Sequence, residues 1–307
     1  MLKQMGYIDL PGHLGTGGFD HAAVHPGLAR LYVAHTANDS LDVIDTGEDA
    51  YLHSIPGLTG VAGVLVSEQS DLVFSSNRAE NSIAMFMPGS ESTLEKITVG
   101  IRPNGLAFDE QRGLLLSAHV GDPETPGSFT VALVDVIARQ VIASIPVPGR
   151  TRWAIFDPAT EVFYVNISSP PQIVVIDPRA PEKVTRVIAV PAAGPHGLDL
   201  DLTGRRLFCA CDDGVLVSLN ADTGEILAQA PLSGKPDVIF LNPPIGHLYV
   251  AVGDPGVIDL FDAHTLQRLE TVPTEKGAHT LGFDQLRNKI YAFLPGTHRA
   301  EVFSDPG

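Results

Sequence analysis

Seven stretches of the chain share one pattern, in which an anchor residue is followed by alternating apolar positions and a closing polar residue. The clearest example ends the segment GPHGLDLD at Asp201. The anchors lie five positions before the closing residues and are 41 to 48 residues apart: Asp20, Ala62, Asn104, Arg152, His196, Asp237 and His279. A repeat of this length, built from short apolar runs, is typical of β-propeller blades.

Within each repeat the apolar residues alternate with the two-residue period of a strand. Two short runs follow the anchor, a third is the most regular, as in LDVID ending at Asp45 and VALVD ending at Asp135, and a fourth leads to the next anchor. Gly, Pro, Asn and Asp separate the runs, which favours strands over helices. Each repeat therefore predicts one four-stranded antiparallel blade.

The two ends of the chain complete each other. The seventh repeat, from His279 onward, contains about three strands, and the segment 3–10 is an unpartnered strand before the first anchor. Pairing the two would remove an exposed sheet edge. We therefore predict an all-β, seven-bladed β-propeller over residues 1–307 as one domain, with the N-terminal strand closing the last blade.

Several segments resemble a known repeat family. LYVAH with LDVID, VFSSN with SIAMF, and FYVN with QIVVID are similar to the YVTN-type repeats of the YncE-like β-propeller proteins, and the pattern xPxGLxxD resembles the innermost strand of that group. The resemblance extends over nearly the whole chain. It implies the fold and leaves the function open, because propellers include binding proteins, hydrolases, lyases and oxygenases.

Composition and charge limit the classes of partner that this protein is expected to bind. No run of about 18 apolar residues predicts a membrane span, and the first residues show no secretory signal. We therefore expect a cytoplasmic protein, or a periplasmic one if a signal has been removed. The net charge of −16 disfavours nucleic acid, since the Lys and Arg residues form no cluster along the sequence. A small-molecule substrate is expected, and a protein partner is possible.

Two cysteines, Cys209 and Cys211, lie two positions apart in one predicted strand and point to the same face. Buried apolar packing is the simplest interpretation, and a soft-metal site including Asp212 is the alternative. A disulfide is disfavoured because alternate residues of an extended strand are too far apart.

The anchors are the candidate functional residues, because the innermost strands of a propeller begin at the mouth of its central channel. His196, Asp237 and His279 are consecutive anchors, and Asp20 and Asn104 can add oxygen ligands. His21 replaces or joins Asp20 if the pairing of the first blade is shifted by one residue. Imidazole and carboxylate together suit Zn, Fe, Mn or Cu better than Ca. We therefore predict a divalent metal at the mouth.

Other candidates surround this predicted metal site. His35 and His119 end the second strands of their blades and could act as general bases, or could only cap loops. Arg152 could clamp a carboxylate or phosphate, while Trp153 could stack on a ring or fill space between blades.

The sequence thus predicts a metal-dependent enzyme acting on a small oxygenated substrate at the mouth. Lactone or ester hydrolysis, lyase chemistry, or oxidation by Fe or Cu would each fit. A propeller that binds a ligand or protein without catalysis is the alternative.

Overall fold

The computed structural model describes residues 1–307 and consists of 28 β-strands with three short 3₁₀ helices. The strands form seven antiparallel sheets of four strands each, so the predicted seven-bladed propeller is confirmed. The 3₁₀ helices lie in connections, at Pro26–Leu28, Thr36–Asn38 and Glu91–Thr93.

Six blades each use four consecutive strands. Blade 1 contains β2 (Phe19–His25), β3 (Arg30–His35), β4 (Ser40–Asp45) and β5 (Ala50–Pro56). Blade 2 contains β6 (Val61–Ser67), β7 (Leu72–Asn77), β8 (Ser82–Phe86) and β9 (Glu95–Thr98). Blade 3 contains β10 (Pro103–Asp109), β11 (Leu114–His119), β12 (Thr130–Asp135) and β13 (Gln140–Pro146).

The next three blades repeat this order. Blade 4 contains β14 (Thr151–Asp157), β15 (Val162–Ile167), β16 (Gln172–Ile176) and β17 (Arg186–Ala189). Blade 5 contains β18 (Pro195–Asp201), β19 (Arg206–Cys211), β20 (Val215–Asn220) and β21 (Ile226–Pro231). Blade 6 contains β22 (Pro236–Asn242), β23 (His247–Val252), β24 (Val257–Asp262) and β25 (Arg268–Pro273).

Blade 7 joins the two ends of the chain. It contains β26 (Thr280–Asp284), β27 (Lys289–Leu294), β28 (Arg299–Ser304) and, at its outer edge, β1 (Lys3–Asp9). Gly6 is opposite Val302 and Ile8 is opposite Ala300 in an antiparallel pair. The predicted closure by the N-terminal strand is confirmed.

The hydrophobic core lies between neighbouring blades. One cluster joins Phe208 and Leu216 of blade 5 to Leu248 and Phe261 of blade 6, and all four side chains are fully buried. Burying one such side chain contributes about 1.5–3 kcal/mol. The ring is therefore held by apolar packing on both faces of each sheet.

The innermost strands come closest together at glycines that directly follow an anchor. A Cβ added to Gly63 would lie 2.0 Å from the carbonyl oxygen of Asn104, and one added to Gly105 would lie 2.4 Å from that of Arg152. Gly197 is similarly placed, 2.5 Å from the carbonyl of Asp237. Only glycine permits this approach, which fixes the spacing of adjacent anchors around the channel.

Candidate functional site

Six innermost strands pair irregularly at the anchor. The pairing register of β2, β6, β10, β14, β18 and β22 with the next strand shifts where the anchor lies, as between Phe19 and Ala22 in β2. Such a bulge turns two successive side chains toward one side. Asp20 and His21 therefore both face the channel. The sequence left open which of the two residues does so, and the structure places both there.

One half of the channel mouth is centred on His196. Its Nδ1 lies 2.6 Å from Asp212 Oδ1, and its Nε2 lies 2.9 Å from Asp237 Oδ1. Nδ1 donates to Asp212, whereas Nε2 lies within reach of both Asp237 and a guanidinium nitrogen of Arg152. Burial alone would lower the pKa of His196, but the carboxylates of Asp237 and Asp212 outweigh it and raise that pKa.

Asp237 is the shared carboxylate of this half. Burial favours its neutral form, yet the neighbouring His196, His279 and His21 hold the pKa of Asp237 far below its ordinary value. Its second oxygen lies 3.8 Å from Nε2 of His279, whose Nδ1 donates to the carbonyl of Gly277 at 2.8 Å. The three predicted anchors therefore lie side by side at the mouth.

The polar groups of this half do not fit a metal ion in the arrangement described. No group of three or more His, Cys, Asp or Glu side chains has metal-binding geometry. Both nitrogens of His196 already face carboxylates, and a guanidinium nitrogen of Arg152 lies 3.1 Å from its Nε2, where a second cation would be repelled. Metal ligation by His196, Asp237 and His279 stays a prediction.

The other half of the mouth is centred on Arg78. Its guanidinium donates to Asn104 Oδ1 at 2.6 Å and lies 3.2 Å from Asp20 Oδ2. The predicted oxygen ligands Asp20 and Asn104 therefore hold an arginine here. Their ligation of a metal also stays a prediction.

Behind this polar mouth lies a central cavity of about 810 Å³. Most of its lining is hydrophobic, and the aromatic side chains are Phe108, Trp153, Phe156, Phe240 and Phe283. It extends past the ends of the innermost strands to exposed turn residues such as Gln69 and Leu202, so it opens on the face opposite the mouth. Its volume lies in the range of small-molecule sites.

Five ionisable side chains line this cavity: His21, Asp109, Glu110, Glu161 and Asp199. Asp199 accepts the backbone N–H groups of Leu200 and Leu241 at 2.7 Å, and burial raises its pKa to about 6 despite them. His21 packs on Trp153 with ring centroids 4.1 Å apart, and burial lowers the pKa of this imidazole. The cavity therefore contains a carboxyl group that titrates near neutral pH and a neutral imidazole.

The predicted general bases His35 and His119 are fully buried. Nδ1 of His119 contacts Thr130 Oγ1 at 2.7 Å, and its Nε2 accepts the backbone N–H of Gly100 at 3.3 Å. Nδ1 of His35 contacts Asp42 at 2.7 Å, and its Nε2 lies 2.8 Å from Nδ1 of His13. Each ring is thus engaged at both nitrogens, and catalysis by either residue stays a prediction.

The remaining sequence candidates have clear positions. Trp153 lines the central cavity and packs on His21, so it contributes to the channel as well as to the core. Cys209 and Cys211 are buried, free thiols with their sulfurs 3.8 Å apart, in agreement with the packing interpretation. Burial raises the pKa of Cys209 well above its ordinary value, so it stays a thiol.

The sequence interpretation missed Arg78 and Asp199, and it considered Asp212 only beside the two cysteines. Arg78 and Asp212 each directly follow the second strand of a blade, at the loop position nearest the anchors. Inspecting the residue after His35, Asn77 and their equivalents would have found both. Asp199 is hidden inside an innermost strand, where its alternation with Leu198 and Leu200 gives no signal of function.

Comparison with known proteins supports the fold and leaves the family open. No protein-family model matches the chain, and no curated protein matches its sequence.

None of the helices in the structure has the length and apolar character needed to span a membrane.

Similar solved structures include two of very different function. A chain of hydrazine synthase from Kuenenia stuttgartiensis superposes with a TM-score of 0.84 at 13% identity, over 96% of this chain and 98% of that one. A chain of a mitotic checkpoint complex superposes with a TM-score of 0.83 at 11% identity, over 99% and 93%. At such identities the likeness shows the fold alone, which is that of a seven-bladed β-propeller.

Proposed function

We propose that this protein binds a small, largely apolar organic molecule in its central cavity, with Asp199 as the main polar contact. The observation that supports this proposal is the aromatic-lined cavity of about 810 Å³, which is lined mostly by hydrophobic side chains and opens on the face opposite the mouth. Sites of this kind bury most of a ligand and orient it through a small number of polar contacts.

The carboxyl group of Asp199 indicates which polar group a preferred ligand carries. Two of its acceptor positions are used by backbone N–H groups, and a carboxylate can accept further hydrogen bonds. Because burial disfavours its ionised form, a cationic amine or another donor inside the cavity would compensate that cost. The ligand class is therefore an apolar molecule that carries one amine or similar donor.

Trp153 provides a direct assay. It is the single tryptophan of the chain and lines the cavity, so a bound ligand should change its emission. We would titrate the protein with 4-phenylbutylamine and with the hydrocarbon butylbenzene. The amine should bind at least about tenfold more tightly, as expected for a charge-assisted contact of about 1.5–3 kcal/mol.

Two variants test the assignment. Asp199→Asn should bring the amine close to the affinity of the hydrocarbon, and Ala23→Phe should fill part of the cavity and weaken both ligands. Ile137→Phe, at a highly exposed position elsewhere, is the control and should leave both affinities unchanged. Unaltered Trp153 emission with both ligands, or equal binding by the Ala23→Phe variant, would contradict the proposal.

A metal-dependent hydrolase or lyase is the second candidate, because His196, Asp237 and His279 lie side by side. It requires Arg152 to leave the neighbourhood of His196. Metal analysis of protein purified without added metal tests it. About one equivalent of metal that is lost in Asp237→Ala would favour this candidate over the cavity proposal.

A further inference from the structure

Four arginines from three neighbouring blades lie close together at the channel mouth: Arg78, Arg102, Arg150 and Arg152. Arg78 hydrogen-bonds to Asn104, two residues after Arg102. The backbone of the next residue, Gly105, lies against the carbonyl of Arg152. Three neighbouring blades therefore bring these four side chains to one side of the mouth.

The pairing of these arginines is incomplete. Arg102 and Arg150 are exposed, and their guanidinium groups make no hydrogen bond or ion pair within the protein. Arg78 and Arg152 reach Asp20 and Asp212 at 3.2 and 3.5 Å, yet each retains a buried Nε that has no partner. Buried donors without partners are uncommon in folded proteins.

The local charge contrasts with that of the molecule. The whole chain has a net charge of −16, whereas at the mouth Arg78, Arg152, Lys235 and His196 contact three carboxylates, and Arg102 and Arg150 contact none. Arg150 is exposed at the surface yet still partly desolvated, and this desolvation together with the three neighbouring guanidinium groups lowers its pKa. The fold holds these guanidinium groups close together despite their mutual repulsion. An anion bound between them would reduce that repulsion.

We propose that the arginine side of the mouth is a binding site for a small, multiply charged oxyanion. Guanidinium groups present paired N–H donors that match the oxygens of phosphate and carboxylate groups. Arg102 and Arg150 supply unpaired guanidinium groups at the surface. Arg78 and Arg152 add positive charge from the less exposed layer below them. This site is separate from the apolar cavity, so either can exist without the other.

Calorimetric titration at constant ionic strength tests this proposal, with pyrophosphate and citrate as separate probes. Both anions are expected to bind once per chain, and the tighter one identifies phosphate or carboxylate as the preferred group. The variant Arg102→Ala/Arg150→Ala should bind at least about tenfold more weakly, because it removes two charge-assisted contacts. Its fold should be unchanged, since both side chains are exposed and unpaired.

Arg139→Ala/Arg179→Ala is the matched control, because it removes two exposed arginines from the outer blade surface. It should bind both anions like the unmodified protein. Equal affinity of the two double variants would overturn the proposal. Binding of poly-glutamate without saturable binding of either small anion would also overturn it, since the surface would then serve an acidic macromolecule.

Discussion

The pKa values of three buried histidines shift in different directions because their ring nitrogens have different partners. His196 lies between two carboxylates, whose attraction outweighs burial and raises its pKa. His21 and His119 are buried without such enclosure, and burial lowers the pKa of each, that of His119 to about 4. At the residue scale, the environment of each ring therefore sets the direction in which pH changes stability.

His119 should make the protein sensitive to acid. Its pKa falls from an ordinary 6.5 to about 4 on folding, so the unfolded chain takes up the proton first. Stability should drop as the pH falls through that window, by up to about 3 kcal/mol at its lower end. His119→Gln, which cannot titrate, should show a shallower fall of Tm between pH 7 and pH 4.5. An equally steep fall in the variant would exclude this residue as the cause.

Asp237 should be the main group that keeps His196 charged. Asp237→Asn removes the larger of the two favourable carboxylate interactions, so the titration midpoint of His196 should fall. Because the His196 pKa is raised by folding, its contribution to stability is complete below its ordinary pKa and is lost as pH rises through the raised value.

NMR titration of the imidazole signals measures this midpoint. In Asp237→Asn, the loss of stability with rising pH should begin at a lower pH than in the unmodified protein. Asp254→Asn, which removes an exposed carboxylate, is the control and should leave the midpoint in place. A midpoint that is the same in both variants would show that Asp212 alone holds the proton.

At the scale of single elements, the innermost strands combine close packing with local irregularity. The bulge of blade 1 turns Asp20 and His21 into the channel, and the glycines that follow the anchors in blades 2, 3 and 5 let the next strand approach. The same strand therefore presents polar groups to the mouth and apolar groups to the cavity.

Gly105→Ala tests this arrangement. The added methyl would lie 2.4 Å from the carbonyl oxygen of Arg152, so the two strands must separate. We expect a loss of about 2–4 kcal/mol in unfolding free energy and weaker oxyanion binding at the mouth. Gly12→Ala, where nothing lies within 4 Å of the new methyl, should change stability by less than about 0.5 kcal/mol. Chemical denaturation of both variants gives the comparison.

At the scale of the whole molecule, ring closure joins residues from opposite ends of the chain. Ile8 and Leu10 are buried in the same cluster as Tyr291 and Val302. His13, which follows β1, lies within hydrogen-bonding distance of both His35 and the carbonyl of Pro295. The first and last blades are thus held by backbone pairing, apolar packing and polar contacts.

Deleting residues 1–10 should destabilise the entire ring. The loss of Ile8 and Leu10 alone is worth about 4 kcal/mol, and the edge of β28 would be exposed. Tm should fall by at least about 5 °C, with increased aggregation. Lys3→Ala/Met5→Ala, which keeps the strand and removes two exposed side chains, is the control. An unchanged Tm in the deletion would mean that β1 contributes little to closure.

The sequence by itself determined the number of blades, their four strands and the closure by the N-terminal strand. These features follow from local alternation and from a repeat spacing that is visible along the chain. It also identified the mouth residues His196, Asp237 and His279, because one anchor per repeat must lie at the channel.

Only the tertiary structure decided what those residues meet. Asp212 and Arg78 reach the anchors from loops of the same or neighbouring blades, and they change a predicted set of metal ligands into a network of ion pairs. The arginines at positions 78, 102, 150 and 152 look scattered in sequence and converge in space. The cavity around Asp199 arises because seven strands leave a space between them. Such convergence depends on the distances between blades, which no local pattern in the sequence specifies.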